Sequence, residues 1–431
     1  MTREKKINKN LLLLLLGRMI SDMGTGIQIV IMPLYIIDAG GSASTVGLFS
    51  FLSLMPTLLV YPFAGVLGDR MNRKIIMVAT DLASAVAILG LTYVSHLGSM
   101  NLTLLLAVQV IVSMFYGLFD PATKGMLPQL VSPEELTRAN STLASMRILS
   151  GVLSPVIGAV LYGSLGVDSL FLINGISFLI SGSFSTLIKY KHINSESASE
   201  ETRFLTDLTE GFRFILTNRA IRKLCTFFLV VYALIQPIFT VVLPLFFRSR
   251  LNYTDTQYGY MQMTMILGAL LGSILVGVLF GKEKEGLKSL FIGCCMQIVM
   301  MIAFSLLLLP YSISILGNDT VLYFALLAGV LCLLSVAIMF INVPVQTFIQ
   351  KATPNEYMSR VFSIVGMISK GGMPFGALLY GIVLNKIETH WTILAADLLM
   401  LIISVRFLSS FLKLINTGRY GGIFKENSKP F

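Results

Sequence analysis

Long apolar runs recur along the whole chain, and they restrict the possible folds more than any other feature of the sequence. Each run has about 20 residues, enough for an α-helix to cross roughly 30 Å of hydrocarbon. The 431-residue chain is 55% hydrophobic and only 13% charged, and its mean hydropathy is +0.81. This composition excludes an ordinary soluble domain. We predict an all-α integral membrane protein with twelve transmembrane helices, at 10–37, 45–67, 75–95, 102–122, 139–163, 168–188, 221–247, 257–280, 286–310, 320–345, 358–384 and 391–414.

Basic residues are concentrated in alternate connections between these runs, starting with the segment before the first helix. By the positive-inside rule this pattern places both termini in the cytoplasm, which requires an even number of helices. The net charge of +10 then reflects topology and anionic lipid headgroups, and nucleic acid is not an expected partner. The basic connections hold Arg3, Lys5, Lys6 and Lys9; Arg70, Arg73 and Lys74; Lys189, Lys191, Arg203, Arg213, Arg219, Arg222 and Lys223; and Lys282 and Lys284.

One hexapeptide occurs twice: "GAVLYG" at 158–163 ends the fifth predicted helix, and "GALLYG" at 376–381 lies near the end of the eleventh. "QLVSPEELTR" and "QKATPNEYMSR" repeat with a similar offset. A shift of six helices predicts two six-helix bundles related by a pseudo-two-fold axis along the membrane normal. The predicted domains are 1–188, a cytoplasmic linker at 189–220, and 221–431 with the C-terminal tail.

The predicted linker is the most polar stretch of the chain. Its first part is rich in Ser and Glu, which is typical of a flexible connection. Its second part spaces Phe204, Leu208, Phe212 and Ile215 about one helical turn apart, which predicts an amphipathic helix on the inner leaflet. The segment is then either a tether with a surface helix or a regulatory site.

The stretch "GVLGDRMNRK" at 65–74 resembles the loop signature of the major facilitator superfamily, Gly-x-x-x-Asp-Arg-x-Gly-Arg-Lys. The runs "LFDPATKGMLPQLVSPEELTRANS" and "DLTEGFRFILTNRAIRKL" are similar to its branch of bacterial drug and macrolide exporters, which also contains siderophore and metal exporters. Asn72 stands where the family usually has Gly. Because Asn tolerates left-handed backbone, we expect the tight turn to persist.

Charges near the cytoplasmic ends of the helices suggest a gating latch. Asp69 follows the second helix, and Asp120 is expected at the end of the fourth helix at the same depth. The resemblance implies that Asp69 faces the N-terminal end of the eleventh helix and that Arg73 reaches Asp120, which would stabilise the outward-facing state. The alternative is that these charges only set orientation. The predicted latch comprises Gly65, Asp69, Arg70, Arg73 and Asp120; Asp81, Arg147 and Lys370 are expected in the same layer rather than in the pocket.

Small residues and prolines interrupt the fifth and eleventh predicted helices. They act either as hinges or as close-packing positions. The fifth-helix segment "SGVLSPVIGAVLYG" loosely resembles the Gly/Pro-rich signature of exporters in the superfamily, which favours export over uptake. The hinge candidates are Gly151, Pro155, Gly158, Pro374 and Gly376.

Charged residues inside the bilayer are costly, so they are candidates for ion coupling. Asp22 lies close to mid-depth in the first helix, and Arg18 is one turn before it. They form either an ion pair that lets the helix insert or a proton-carrying carboxyl modulated by Arg18. Asp397 in the twelfth helix is a second candidate.

The central cavity is expected, by analogy with the family, between the first, fourth, seventh and tenth helices. Without an acidic cluster there, it suits bulky amphipathic or cationic organic compounds better than phosphates or sugars. Substrate-cavity candidates are Gln28, Gln109, Tyr116, Tyr232, Gln236 and Asn342.

No enzymatic motif, ATP-binding loop or metal-ligand spacing occurs in the sequence, so we expect no cofactor and no metal. We predict a monomeric secondary transporter of the bacterial plasma membrane, a proton antiporter exporting drug- or macrolide-like compounds by alternating access, with lipids, protons and the substrate as partners. The alternatives are an exporter of a siderophore, metal or lipid-like metabolite, or a non-transporting sensor or scramblase. The intact "GDRMNRK" loop favours a transporter.

Overall fold

The computed structural model describes residues 9–190, 213, 215–217, 219–280, 286–352 and 358–416. Within these ranges every regular element is a helix. The linker prediction falls almost wholly outside them. The helices are α1 (Lys9–Asp38), α2 (Ala43–Arg70), α3 (Arg73–His96), α4 (Leu102–Leu130), α5 (Pro133–Leu187), α6 (Arg219–Pro237), a π-helical segment (Ile238–Val242), α7 (Leu243–Ser249), α8 (Asp255–Leu279), α9 (Gly286–Leu307), α10 (Pro310–Leu316), α11 (Val321–Ala352), α12 (Met358–Leu384) and α13 (Thr389–Asn416).

Eleven stretches of the described chain are long and apolar enough to cross a membrane. One of them, Arg138–Leu187, has 50 residues, about 75 Å of helix and enough for two crossings. This stretch lies within α5, which breaks at Gly166, where φ is 75°. Glycine adopts this left-handed conformation at little cost. The fifth and sixth predicted helices are therefore the first arm (133–165) and second arm (167–187) of α5.

The fourth helix is longer than the sequence indicated. We expected it to end near residue 122, but α4 continues to Leu130 through Pro121 and Pro128. Hydropathy marks the hydrocarbon segment of a helix, whereas the helix itself can continue past it. Asp120 therefore lies ten residues before the end of α4, about 15 Å along its axis, and not at its terminus.

The turn after α2 also differs from expectation. Asn72 has φ −60° and ψ 113°, and its side-chain oxygen accepts a hydrogen bond from the Lys74 amide at 3.0 Å. It is the N-cap of α3, a position that requires extended backbone. The expectation of a left-handed Asn72 was wrong.

Contacts divide the chain into two compact units. The first contains residues up to 201 together with 252–263, and the second contains 202–251 and the residues from 264 onward. In the first unit, α5 packs against both α1 and α3, and α2 packs against α4. In the second unit, α6 packs against α12, and α9 packs against α11 and α13.

Candidate functional site

A buried arginine organises the interior of the first unit. Arg18 on α1 is only 2% exposed, and its Nε donates to Asp22 Oδ2 at 2.8 Å. The two residues are one turn apart, as the sequence spacing predicted. Its Nη2 donates to Asp120 Oδ1 at 2.9 Å and to the Tyr116 hydroxyl at 3.0 Å. One guanidinium therefore joins carboxylates from α1 and α4.

Asp120 is surrounded by further donors. Its Oδ2 accepts from Lys124 Nζ at 2.7 Å and from the Tyr61 hydroxyl at 2.9 Å. Its side chain is 2% exposed, whereas that of Asp22 is 13% exposed. Hydrogen bonds of this charge-assisted kind offset the cost of removing a carboxylate from water.

A second arginine approaches from the first arm of α5. Arg147 Nε is 3.9 Å from Asp22 Oδ2, and its Nη1 is 3.8 Å from Asp120 Oδ1. We call the resulting group the Arg18 cluster; it carries three cationic and two anionic side chains. Its members are Arg18, Asp22, Tyr61, Tyr116, Asp120, Lys124 and Arg147.

The Arg18 cluster combines residues that the sequence analysis assigned to separate roles. Arg18 and Asp22 were coupling candidates, and Asp120 was a latch candidate. The hydrogen bond described for Arg73 goes from its Nη1 to the Gly125 carbonyl at 2.6 Å, and Gly125 lies five residues after Asp120 on α4. The sequence analysis missed Tyr61 and Lys124, although the i, i+4 spacing of Asp120 and Lys124 was a usable signal.

The remaining latch candidates belong to the loop signature that the sequence analysis places on the cytoplasmic side. Gly65, Asp69 and Arg70 belong to the last part of α2, and their side chains are outside the described part of the structure. Their role stays a prediction.

Two expected cavity residues are in a packed polar network instead. Gln28 and Gln109 are 3% and 4% exposed. Gln28 Nε2 donates to Gln109 Oε1 at 3.2 Å, and Asn174 Nδ2 donates to Gln28 Oε1 at 2.5 Å. These bonds connect α1, α4 and the second arm of α5. Both glutamine side chains are buried and form hydrogen bonds with neighbouring side chains. In this conformation they therefore do not line an open cavity.

The cavity candidates of the second unit are half-buried. The Tyr232 hydroxyl on α6 donates to Asn342 Oδ1 on α11 at 3.0 Å, and Gln236 is one turn after Tyr232. Asp397 on α13 is buried and accepts a hydrogen bond from the Ser305 hydroxyl on α9 at 2.9 Å. Asp397 is therefore held by a neutral partner, unlike Asp22.

The hinge candidates fall into two groups. A Cβ added at Gly151 would meet nothing within 4 Å, whereas one at Gly158 would lie 3.0 Å from Ile31 of α1, and one at Gly376 only 2.0 Å from the Ala233 carbonyl oxygen of α6. Gly158 and Gly376 are thus close-packing positions. Pro155 and Pro374 lie inside continuous helices.

The family model described as Major Facilitator Superfamily matches residues 14–377. Macrolide efflux protein A of Streptococcus pyogenes is 25% identical over 390 residues, covering 90% of this chain and 92% of that protein. The multidrug efflux pump Tap of Mycolicibacterium fortuitum is 24% identical over 403 residues, covering 92% and 94%.

Solved structures share the fold at low identity. A bacterial homologue of the iron transporter ferroportin, in an inward-facing state, superposes with a TM-score of 0.72 at 16% identity, covering 94% of this chain and 100% of that one. The nucleoside transporter NupG also gives a TM-score of 0.72, at 14% identity, covering 94% and 99%. On the family match over most of its length, this chain belongs to the Major Facilitator Superfamily of membrane transporters.

Proposed function

We propose that the protein is a proton-coupled antiporter that exports amphipathic or cationic organic compounds by alternating access. Membership of the transporter family makes it a multi-span protein of a cell membrane. The direction and substrate class follow from relatives named as macrolide and multidrug efflux proteins. The orientation, with both termini cytoplasmic, and a monomeric state belong to the same proposal.

The Arg18 cluster is the observation that carries the coupling step. Asp22 is the more exposed of its two carboxylates, and Arg18 holds Asp120 as well as Asp22. When Asp22 takes up a proton, Arg18 therefore keeps a buried anionic partner and is not left uncompensated. A carboxyl that can change its charge while its partner stays paired is suited to carrying a coupling proton.

The substrate is expected to contact the half-buried polar and aromatic residues. Tyr116 belongs both to this group and to the Arg18 cluster, because its hydroxyl accepts a hydrogen bond from Arg18. A cationic substrate near Tyr116 would then compete electrostatically with a proton on Asp22, which gives antiport a physical basis. Tyr232, Gln236 and Asn342 are the corresponding candidates in the second unit.

The test uses purified protein in liposomes, with erythromycin and ethidium as probes. We expect the wild type to accumulate one or both probes when a pH gradient is imposed. Asp22→Asn should abolish this accumulation but retain energy-independent exchange of probe, because the neutral side chain mimics permanent protonation. Asp38→Asn is a matched control: it makes the same change at the exposed end of α1, where Asp38 accepts from the Tyr162 hydroxyl.

Three results would contradict parts of this proposal. Normal pH-driven export by Asp22→Asn would remove Asp22 from coupling and transfer attention to Asp397. Poor insertion of Asp22→Asn that Arg18→Gln restores would make the pair structural. Failure of well-folded wild type to move either probe would favour a siderophore, metal or lipid-like substrate, or a sensor or scramblase.

A further inference from the structure

A second carboxylate lies in a small cavity of the first unit, outside the Arg18 cluster. The cavity lies between α1, α3, α4 and the second arm of α5; four of its lining residues are apolar, and the other six carry side-chain oxygens. These are Ser21, Thr25, Thr80, Asp81, Ser84 and Tyr116.

Asp81 is buried in this wall without a salt bridge. Asp81 is only 2% exposed, and none of the ion pairs among the described residues includes its carboxyl group. The Ser181 hydroxyl approaches the carboxyl, yet neither Ser181 Oγ nor Asp81 Oδ2 makes a hydrogen bond of good geometry with the described residues. An ionised carboxyl in this position lacks the compensation that buried charges require.

The groups facing Asp81 come from every helix that forms the cavity. From α1, the charges of Arg18 and Asp22 act on it with opposite signs. From α4, the titratable neighbour is Tyr116. From the second arm of α5, Gly182 packs close, since a Cβ there would be 3.4 Å from the Asp81 Cβ. Among the described residues, none of the salt bridges joins a cationic side chain to this carboxyl.

The wall residues that carry a hydroxyl group can present acceptor oxygens. The Thr80 hydroxyl donates to the Ile76 carbonyl at 2.7 Å, so its lone pairs remain available to a ligand. Carboxylate and hydroxyl oxygens are hard ligands that suit small hard cations. A mobile cation would supply the charge that the protein itself does not place beside Asp81.

We propose that Asp81 and the surrounding hydroxyls bind one small monovalent cation, a proton or Na⁺, as a coupling-ion site. The inference rests on the proposed transport function and adds a second ion site to it. Asp22 has Arg18 as a permanent counter-charge, whereas Asp81 depends on a cation that can leave. Because the charges of Arg18 and Asp22 act on Asp81 and Tyr116 belongs to both groups, occupancy here would also alter the electrostatic balance of the Arg18 cluster.

The first experiment needs no transported substrate. Purified protein in lipid nanodiscs is studied by infrared difference spectroscopy as pH is stepped, and by thermal unfolding with and without NaCl, using choline chloride at equal ionic strength as the control. The variants are Asp81→Asn, Asp81→Glu and the control Asp38→Asn.

A proton at the site predicts a protonated-carboxyl band that titrates in the wild type and in Asp38→Asn and is missing from Asp81→Asn. Sodium predicts instead a rise in melting temperature with NaCl that Asp81→Asn loses and Asp81→Glu partly keeps. Neither signal in the wild type, or either one unchanged in Asp81→Asn, overturns the site. If Asp81→Asn does not fold, Asp81→Glu decides: a shifted band or a weaker NaCl response supports the site, and an unaltered one overturns it.

Transport then separates this inference from the function on which it rests. Erythromycin and ethidium uptake into liposomes is driven by a pH gradient in one arm and by a Na⁺ gradient in the other. Loss of gradient-driven transport in Asp81→Asn, with exchange retained, supports coupling through Asp81, and unchanged gradient-driven transport overturns it. Cation binding at Asp81 in a protein that moves neither probe would refute the proposed function and leave the site standing.

Discussion

The charged side chains of the Arg18 cluster differ in their burial and in the number of partners they hold, so their expected contributions to stability also differ. Asp120 is buried and accepts from Arg18, Lys124 and Tyr61, so removing its charge leaves a buried guanidinium with only the Asp22 carboxylate. Removing the charge of Asp22 leaves Arg18 bound to Asp120. Lys124 is 55% exposed, and water can replace its partner.

These differences predict an order of stability. Asp120→Asn should destabilise the protein most, by about 3–5 kcal/mol, the usual cost of breaking a buried pair. Asp22→Asn should cost less, and Lys124→Gln no more than about 1 kcal/mol, as for exposed pairs. Melting temperatures of the three variants in one detergent measure the order. Equal melting temperatures for Asp120→Asn and Lys124→Gln would show that the buried network contributes little.

At the scale of helices, the repeated hexapeptide makes the same kind of contact in each unit. In the first, Gly158 packs on α1 and the Tyr162 hydroxyl donates to Asp38 of α1 at 2.8 Å. In the second, Gly376 packs on α6 and the Tyr380 hydroxyl donates to the Leu234 carbonyl of α6 at 2.8 Å. A small residue and a tyrosine one turn later thus hold a neighbouring helix close.

A proline contributes to the closer of these two contacts. Pro237 has no amide hydrogen, so the carbonyl of Ala233, four residues earlier, receives no helical hydrogen bond from it. That carbonyl is the atom that a Cβ at Gly376 would meet. The π-helical segment follows directly at Ile238–Val242. The α6 carbonyl that Pro237 leaves without a helical hydrogen bond is therefore the one against which Gly376 of α12 packs.

Glycine substitutions distinguish packing from hinge action. Gly376→Ala should lower the melting temperature, because its Cβ must displace backbone of α6; overpacking of this kind costs about 1–3 kcal/mol. Gly151→Ala is the matched control and should be neutral or stabilising by up to about 1 kcal/mol, since the position is open and helical. If Gly151 is a hinge, its alanine variant should fold normally but transport the probe more slowly. Full transport by Gly151→Ala would exclude the hinge.

At the scale of the whole molecule, the loop at 65–74 is predicted to act as a gating latch in the transport cycle. The Arg18 cluster joins α1, α2, α4 and α5 inside one unit, so it cannot by itself account for a latch between two halves. The resemblance assigns that task to Asp69. Both sets of charges are needed if one couples ions and the other stabilises an outward-facing state.

Asp69→Asn should leave membrane insertion and melting temperature unchanged but lower the rate of probe export several-fold. The rate is measured in the same liposomes as Asp22→Asn, and binding of probe in detergent checks that the site persists. Arg213→Gln, on a described and exposed residue of the predicted linker, controls for loss of cytoplasmic charge. Undiminished transport by well-folded Asp69→Asn would remove the latch.

The sequence by itself determined the features that depend on neighbours along the chain. Apolar length predicted the membrane helices and separated the fifth from the sixth near Gly166, and i, i+4 spacing predicted the Arg18–Asp22 pair. Only the tertiary structure decided which distant residues meet. Arg18 reaches Asp120 across 102 positions, Gln28 contacts Gln109 and Asn174, and Asp81 lines a cavity with no salt bridge among the described residues. Helical periodicity specifies the face of a side chain, but which helix lies opposite, and how deep a charge lies, depends on how all the helices pack together.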